Sequence, residues 1–209
     1  MSQKVKYPRT YHLPFSLGAT NDDKVLTDCS QFFGKVVVAT WKKDGENSTL
    51  YCDGSHARSL DSVHHESRDW LKAFHSTFKN DIPEGWRICG ENLFAKHNIY
   101  YENLKSYFYG FSIWNAENFC LNWNDTIDWF NLLGIEPVEV FYHGIFDEEY
   151  FRNVDIGDEE GFVIRNADSF HYDTFSKNVA KFVRANFVPG TEEHWSHRKV
   201  VPNKLRENS

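Results

Sequence analysis

The distribution of strand-type and helix-type segments is the feature that most constrains the fold of this chain. Short runs rich in β-branched and aromatic residues are typical of strands, and here they outnumber the segments with helical periodicity. They do not alternate regularly with helices, as the strands of a parallel sheet do. The sequence therefore predicts an α+β fold with mainly antiparallel sheets. The predicted strands are residues 36–40, 48–52, 86–89, 107–114, 138–142, 161–165 and 179–187.

Two segments have the features of helices. In the first, Trp70, Phe74 and Phe78 recur at four-residue spacing, which places the three rings on one face of a helix. The second segment, residues 125–133, follows Asn124, a residue type that often caps the first turn of a helix through its side chain. We therefore expect two amphipathic helices packed against the sheets.

The size and charge of the chain limit the classes of protein to which it can belong. At 209 residues it fits a single domain with a substantial core. A formal net charge of −7 argues against a protein that coats nucleic acid, but it is compatible with an enzyme that has a local basic groove. The four cysteines are far apart, and no apolar run approaches the ~20 residues of a membrane span. We expect no membrane association and a cytoplasmic location, including that of a viral protein acting in the host cytoplasm.

The sharpest chemical feature is a lysine at the end of the strand formed by residues 36–40. Lys42 opens a KKDG string in the polar turn that leads to residues 48–52, the expected partner strand. A lysine is a covalent nucleophile only when its amine is neutral, so this interpretation requires burial or nearby positive charge that lowers its pKa. Asp44 would orient the lysine or hold a metal, and Gly45 would allow a phosphate to approach closely. Taken alone, the string also fits an exposed hairpin turn.

The residues around Lys42 resemble the signature of the covalent nucleotidyltransferases, the superfamily of polynucleotide ligases and mRNA capping enzymes. The string TWKKDGEN at residues 40–47 is most similar to the RNA ligase branch, and within it to the RNA ligase 2 type. Further segments resemble the later motifs of the superfamily and occur in the same order. They are HARS at 56–59, CGENL at 89–93, YGFSI at 109–113, EEGFVIR at 159–165 and AKFVR at 180–184.

The resemblance implies a role for each matching residue. Lys42 would attack the α-phosphate of ATP, Glu91 would bind the ribose, and Phe111 would stack on adenine. A divalent ion, Mg²⁺ or Mn²⁺, would be held by Asp44 and Glu160. The complete implied ATP-binding set is Trp41, Lys42, Asn47, Arg58, Glu91, Phe111, Glu160, Lys181 and Arg184.

Two positions depart from the pattern of the superfamily. Many relatives have an aspartate where this chain has Ser112, and many have a lysine where it has Val183. In an extended strand, Lys181 and Val183 would share one face while Arg184 points away from it. Arg184 is therefore the least regular member of the implied ATP-binding set.

The resemblance implies an ATP-dependent RNA ligase that acts in RNA repair and joins a 5′-phosphate end to a 3′-hydroxyl end. The alternatives are a DNA ligase or capping-type enzyme, and a nucleotide- or RNA-binding relic of a ligase. We expect residues 1–209 to form a single nucleotidyltransferase domain, with its motifs between 42 and 184 and no separate OB-fold or substrate domain after them. Grip on the RNA ends would then come from the basic tail, residues 198–206, or from a partner protein.

Overall fold

The computed structural model describes residues 3–61, 64–185, 187 and 199–207, and their strands form two sheets. The first has the order β1-β12-β10-β2-β9. The second has the order β11-β7-β6-β5-β3-β4, and β8 pairs with β6 beside it. The strands are β1 Tyr11–His12, β2 Val36–Trp41, β3 Glu46–Tyr51, β4 Gly54–Ala57, β5 Arg87–Asn92, β6 Phe108–Trp114, β7 Phe119–Cys120, β8 Glu136–Pro137, β9 Val140–Ile145, β10 Gly161–Asn166, β11 Phe170–His171 and β12 Val179–Val183.

The predicted fold class is confirmed. Apart from the parallel pairs β1–β12 and β6–β8, the neighbouring strands of both sheets are antiparallel. Among the described residues, three α-helices accompany the sheets. They are α1 Asp69–Ser76, α2 Trp123–Leu133 and α3 Glu148–Arg152.

Strand β2 is buried on both faces, which explains its continuous apolar sequence. Val37 and Ala39 pack in a core with Phe162 of the neighbouring strand β10. Val38 points the other way, into a second cluster that contains Tyr109 of β6. Since successive side chains of a strand alternate in direction, only a run of small apolar residues fits between two such layers. The strand that carries Lys42 is therefore held from both sides.

The predicted pairing of β2 with the next strand is wrong. Strand β2 lies between β10 and β9, whereas β3 lies between β5 and β4 in the other sheet. Residues 42–45 consequently cross from one sheet to the other instead of closing a hairpin. Lys42 is therefore the first residue of the segment that links the two sheets.

The predicted helices exist, but their boundaries differ from the expected ones. Helix α2 begins at Trp123, and the side chain of Asn122, not Asn124, accepts a hydrogen bond from the backbone N–H of Asp125 at 2.9 Å. In α1, the Trp70 and Phe74 rings stack with their centroids 5.1 Å apart. The apolar spacing located these helices, whereas the caps depend on the local path of the chain.

Neither a disulfide nor a membrane-spanning helix is found in the described part of the chain. All four cysteines, Cys29, Cys52, Cys89 and Cys120, are free. No helix within the described ranges is long and apolar enough to cross a membrane.

Residues 201–206 pack against residues 93–107. Asn203 is the buried centre of this contact. Its side-chain amide donates to the Leu93 carbonyl at 2.7 Å, and its side-chain oxygen accepts from the Tyr101 backbone N–H at 2.9 Å. Isolated bridges from Pro202 and Leu205 flank it. This part of the basic tail belongs to the fold, and Arg198 lies outside the described residues.

We predict that Asn203→Ala lowers the free energy of unfolding by about 2–4 kcal/mol. The substitution leaves the Leu93 carbonyl and the Tyr101 N–H without their buried partner, and each such group costs roughly 1–3 kcal/mol. Urea denaturation followed by fluorescence measures the change. Lys204→Ala is the matched control, since Lys204 is exposed and its backbone hydrogen bonds remain. Equal stability of the two variants would contradict a structural role for the tail.

Candidate active site

The backbone and the side chain of Lys42 are both tied to the start of strand β10. The Lys42 N–H donates to the Gly161 carbonyl at 2.9 Å, and its Nζ lies 2.6 Å from Oε2 of Glu160. Gly161 has little room for a side chain, since an added Cβ would come within 2.0 Å of the Phe182 carbonyl oxygen. The close approach of β12 that glycine permits therefore sets Glu160 opposite the lysine.

Carboxylates dominate the electrostatic environment of Lys42. Burial disfavours the charged amine, but Glu160, Glu91 and Asp44 outweigh it, and the pKa of Lys42 lies above its ordinary value. This is the reverse of the lowered pKa that the nucleophile interpretation led us to expect. The raised pKa and the carboxylate of Glu160 favour the ammonium form of the side chain. An amine is a nucleophile only when it is neutral, so that role would require the loss of a proton.

A second ion pair lies immediately beside the first. Lys43 Nζ is 2.8 Å from Oε1 of Glu159, and it also lies over the Tyr101 ring, 5.5 Å from the centroid. The Lys43 side chain is only 10% exposed, so it is not a free cation of a surface turn. Two adjacent lysines thus pair with two adjacent glutamates and fix the end of β2 against the start of β10.

Asp44 holds a loop in place through its carboxylate and its backbone N–H. Its Oδ2 accepts hydrogen bonds from the backbone N–H groups of Asn98 at 2.7 Å and Ile99 at 2.8 Å. Its own N–H donates to the Tyr101 hydroxyl at 2.9 Å. With these donors on a buried carboxylate, Asp44 ties the lysine segment to residues 98–101, the same loop that the tail residue Asn203 supports.

Gly45 is required by the neighbouring strand. An added Cβ would lie 2.6 Å from the Asn92 carbonyl oxygen and 3.1 Å from the side chain of Glu91. The Gly45 N–H donates to Oε1 of Glu91 at 3.2 Å. Burial raises the pKa of Glu91 to about 8, although Lys42 opposes this effect. The glycine thus allows the Glu91 carboxyl group to lie close to the lysine segment.

A cleft of about 770 Å³ opens between the two sheets beside Lys42. Residues from both sheets line it, which explains why motifs far apart in sequence meet there. The ATP-binding residues proposed from the sequence that line the cleft are Trp41, Lys42, Asn47, Arg58, Glu91, Phe111 and Lys181. Glu160 joins them through its contact with Lys42. A cleft of this size is within the range of small-molecule sites.

Lys181 brings positive charge to the cleft from strand β12. It is paired opposite Val163 of β10, and its Nζ lies 3.9 Å from Oδ1 of Asp23. Burial lowers the pKa of Lys181, Asp23 opposes that shift, and the nearby Lys42 adds to it. A cation that has lost part of its hydration is well suited to bind a phosphate oxygen.

Two residues of the implied set do not point their side chains into the site. The Trp41 ring stacks on Phe141 in the outer core, with the centroids 4.1 Å apart. Arg184 donates its backbone N–H to the Glu160 carbonyl, and its guanidinium lies over Phe187, 5.6 Å from the ring centroid. The Trp41 side chain points away from the cleft because side chains alternate in direction along β2. The Arg184 side chain does so because Arg184 lies beyond the end of β12. Both support the site through the backbone.

The N-terminal segment supplies cleft residues that the sequence did not predict. Tyr7 and Asp23 both line the cleft, and Tyr7 contacts the Phe111 ring. His12 is buried behind Asp23, with its Nε2 3.5 Å from Oδ2 of Asp23. No local motif marks these positions, because their proximity to the site depends on long-range packing.

The carboxylates around Lys42 fit a hard divalent cation only in combination with a phosphate ligand. No group of three or more His, Cys, Asp or Glu side chains within the described ranges is arranged to hold a metal ion. Mg²⁺ commonly binds through one or two carboxylates plus substrate phosphates and water. Asp44 and Glu160, the two carboxylates expected to hold the metal, both lie near Lys42, and that role stays a prediction.

The fold and the cleft define a ligase-type nucleotidyltransferase domain. The sequence model of the RNA ligase family matches residues 35–183, most of the chain, and the protein therefore belongs to that family. No curated protein sequence matches the chain.

Solved structures with the same fold are ligases. An archaeal ATP-dependent RNA ligase superposes with a TM-score of 0.57 at 15% identity, over 86% of this chain and 48% of its own. The Naegleria gruberi RNA ligase with PPi superposes with a TM-score of 0.54 at 18% identity, over 75% of this chain and 51% of its own. A putative ATP-dependent DNA ligase from Aquifex aeolicus superposes with a TM-score of 0.52 at 17% identity, over 86% of this chain and 50% of its own. The chain thus spans about half the length of these proteins, and at such identities the likeness establishes the fold.

Proposed function

We propose that this protein is an ATP-dependent RNA ligase that works through a covalent adenylate on Lys42. The observation that carries the proposal is the position of Lys42. It is paired with Glu160 at 2.6 Å and stands beside a cleft lined by Arg58, Phe111 and Lys181. The cleft therefore contains a nucleophile, cationic groups for phosphates and an aromatic face for a base. Membership of the RNA ligase family favours RNA ends as the substrate.

In the first step, the Lys42 amine attacks the α-phosphorus of ATP. A P–N bond forms, the bond from the α-phosphorus to the bridging oxygen breaks, pyrophosphate leaves, and the amine loses its proton. Arg58 and Lys181 bind phosphate oxygens, and Phe111 holds the adenine. Mg²⁺ or Mn²⁺, held by Glu160 together with phosphate oxygens, would neutralise charge that develops on the phosphates. Positioning and electrostatics supply most of the rate in such transfers.

The next two steps transfer the adenylyl group and then seal the strand. An oxygen of a 5′-phosphate end attacks the adenylyl phosphorus, the P–N bond breaks, and Lys42 takes up a proton and leaves as the free amine. A 3′-hydroxyl then attacks the activated 5′-phosphorus and gives up its proton to solvent, the bond from that phosphorus to AMP breaks, and AMP departs as the phosphodiester bond forms. Since the net charge of −7 leaves only a local basic surface for phosphate contacts, we propose that a partner protein contributes to the grip on the RNA ends.

Label transfer from [α-³²P]ATP, followed on a denaturing gel, tests the proposal. We expect a labelled protein band that loses its label when nicked RNA is added, together with a sealed product. Label from GTP instead of ATP would indicate a capping-type enzyme, and sealing of nicked DNA alone would indicate a DNA ligase. Nucleotide binding without any covalent label would indicate a binding relic and would refute the proposal.

A further inference from the structure

The N-terminal arm, defined here as residues 3–10, crosses from one sheet to the other beside the cleft. At one end it runs into β1, which pairs with β12 of the first sheet. At the other end the Val5 N–H donates to the Tyr51 hydroxyl at 2.8 Å, on strand β3 of the second sheet. The arm lies outside the segment matched by the family, which begins at residue 35. Its middle residues line the cleft.

Tyr7 is the aromatic residue of the arm that reaches the nucleotide cleft. Its ring meets the Phe111 ring edge to face, with the centroids 5.2 Å apart and the planes at 70°. On another side it meets Phe175 in the same manner, at 5.4 Å and 82°. Two rings therefore fix the direction of the Tyr7 side chain.

We propose that Tyr7 forms the end wall of the nucleobase subsite and determines which base the protein accepts. This inference rests on the proposed function, in which a base stacks on Phe111. Because Tyr7 lines the same cleft as Phe111 and its ring is steeply inclined to the Phe111 ring, it bounds the space beside Phe111. Bases have similar faces and differ at their edges, so a rigid wall at the edge discriminates among them by shape.

The attachment of the arm favours a Tyr7 ring that stays in place when the nucleotide binds over one that the nucleotide displaces. Besides the Val5 bond, Lys4 Nζ pairs with Asp53 at 2.9 Å, and the Tyr172 hydroxyl donates to the Lys6 carbonyl at 2.8 Å. Moving Tyr7 out would break these contacts, which hold the residues directly before it. Binding of a base next to Tyr7 leaves them intact.

Binding of α,β-methylene-ATP and its guanosine counterpart by calorimetry tests the role of Tyr7. These analogues bind without forming the covalent adenylate. We expect Tyr7→Ala to weaken binding of the ATP analogue about tenfold, the effect of losing one aromatic contact. We expect the preference for adenine over guanine to fall as well. Tyr7→Phe should bind nearly as the wild type, because the ring and its packing remain.

Phe33→Ala is the matched control, because Phe33 is an exposed aromatic residue that does not line the cleft. Unchanged affinity and selectivity in Tyr7→Ala would refute the role of Tyr7 as a wall of the base subsite. Tighter binding would show that the Tyr7 ring occupies the subsite and is displaced by the nucleotide. If Tyr7→Ala lacks a cooperative unfolding transition, Tyr7→Leu is judged by the same criteria. A wild-type protein that binds neither analogue would instead refute the proposed function itself.

Discussion

Lys42→Ala is expected to lower the transfer of label from [α-³²P]ATP to the protein by more than about 10³-fold. No other amine replaces the group that forms the covalent bond. The cleft itself should persist, since the Lys42 backbone bond to the Gly161 carbonyl does not depend on the side chain. The measurement is single-turnover labelling, with thermal unfolding of the same sample to show that the variant is folded.

Lys43→Ala is the control for this prediction, and the structure defines what to expect of it. Its amine pairs with Glu159 and not with Glu160, so labelling should largely survive. The free energy of unfolding of the variant should still fall. The loss should lie between the ~1 kcal/mol of an exposed ion pair and the ~3–5 kcal/mol of a buried one. Strong labelling of Lys42→Ala, or equal loss of labelling in both folded variants, would contradict the assignment of the nucleophile.

The strands were predictable from the sequence because their signal is local. The run at residues 161–165 corresponds to β10 Gly161–Asn166, and the run at 107–114 to β6 Phe108–Trp114. The assignment of strands to sheets was not predictable in this way. Besides the adjacent strand β4, β3 pairs with β5, about forty residues later, and that choice depends on packing that only the folded chain contains. This is why the proximity of two strands in sequence suggested a hairpin that does not exist.

The candidate site shows the same division between local and long-range information. The motif residues mark the cleft correctly, because Lys42, Arg58, Glu91 and Phe111 all line it. The charge state of Lys42 was mispredicted, since the carboxylates that raise its pKa come from other strands. Tyr7 carries no local signal at all. Its significance appears only when the arm is placed against Phe111.

Glu160→Gln should separate the chemical step from nucleotide binding. We expect the rate of label transfer at saturating ATP to fall about 10²–10³-fold, the typical effect of removing one electrostatic contact to a transition state. Binding of α,β-methylene-ATP should change little, because Arg58, Phe111 and Lys181 remain in the cleft. Glutamine keeps the size of the side chain and an oxygen that can accept from Lys42, so the loss would come from the charge.

Glu159→Gln is the matched control for Glu160→Gln, since it neutralises the adjacent carboxylate that pairs with Lys43. If Glu160 acts only by pairing with Lys42, its removal frees the amine, and labelling should become faster. If Glu160 helps to hold the metal against the phosphates, labelling should become slower and respond to higher Mg²⁺ or Mn²⁺ concentration, while Glu159→Gln stays within a few-fold of wild type. Wild-type labelling rates for Glu160→Gln across metal concentrations would exclude the metal role. An equal loss of labelling rate in both variants would show that the ion pairs matter only for joining the end of β2 to the start of β10.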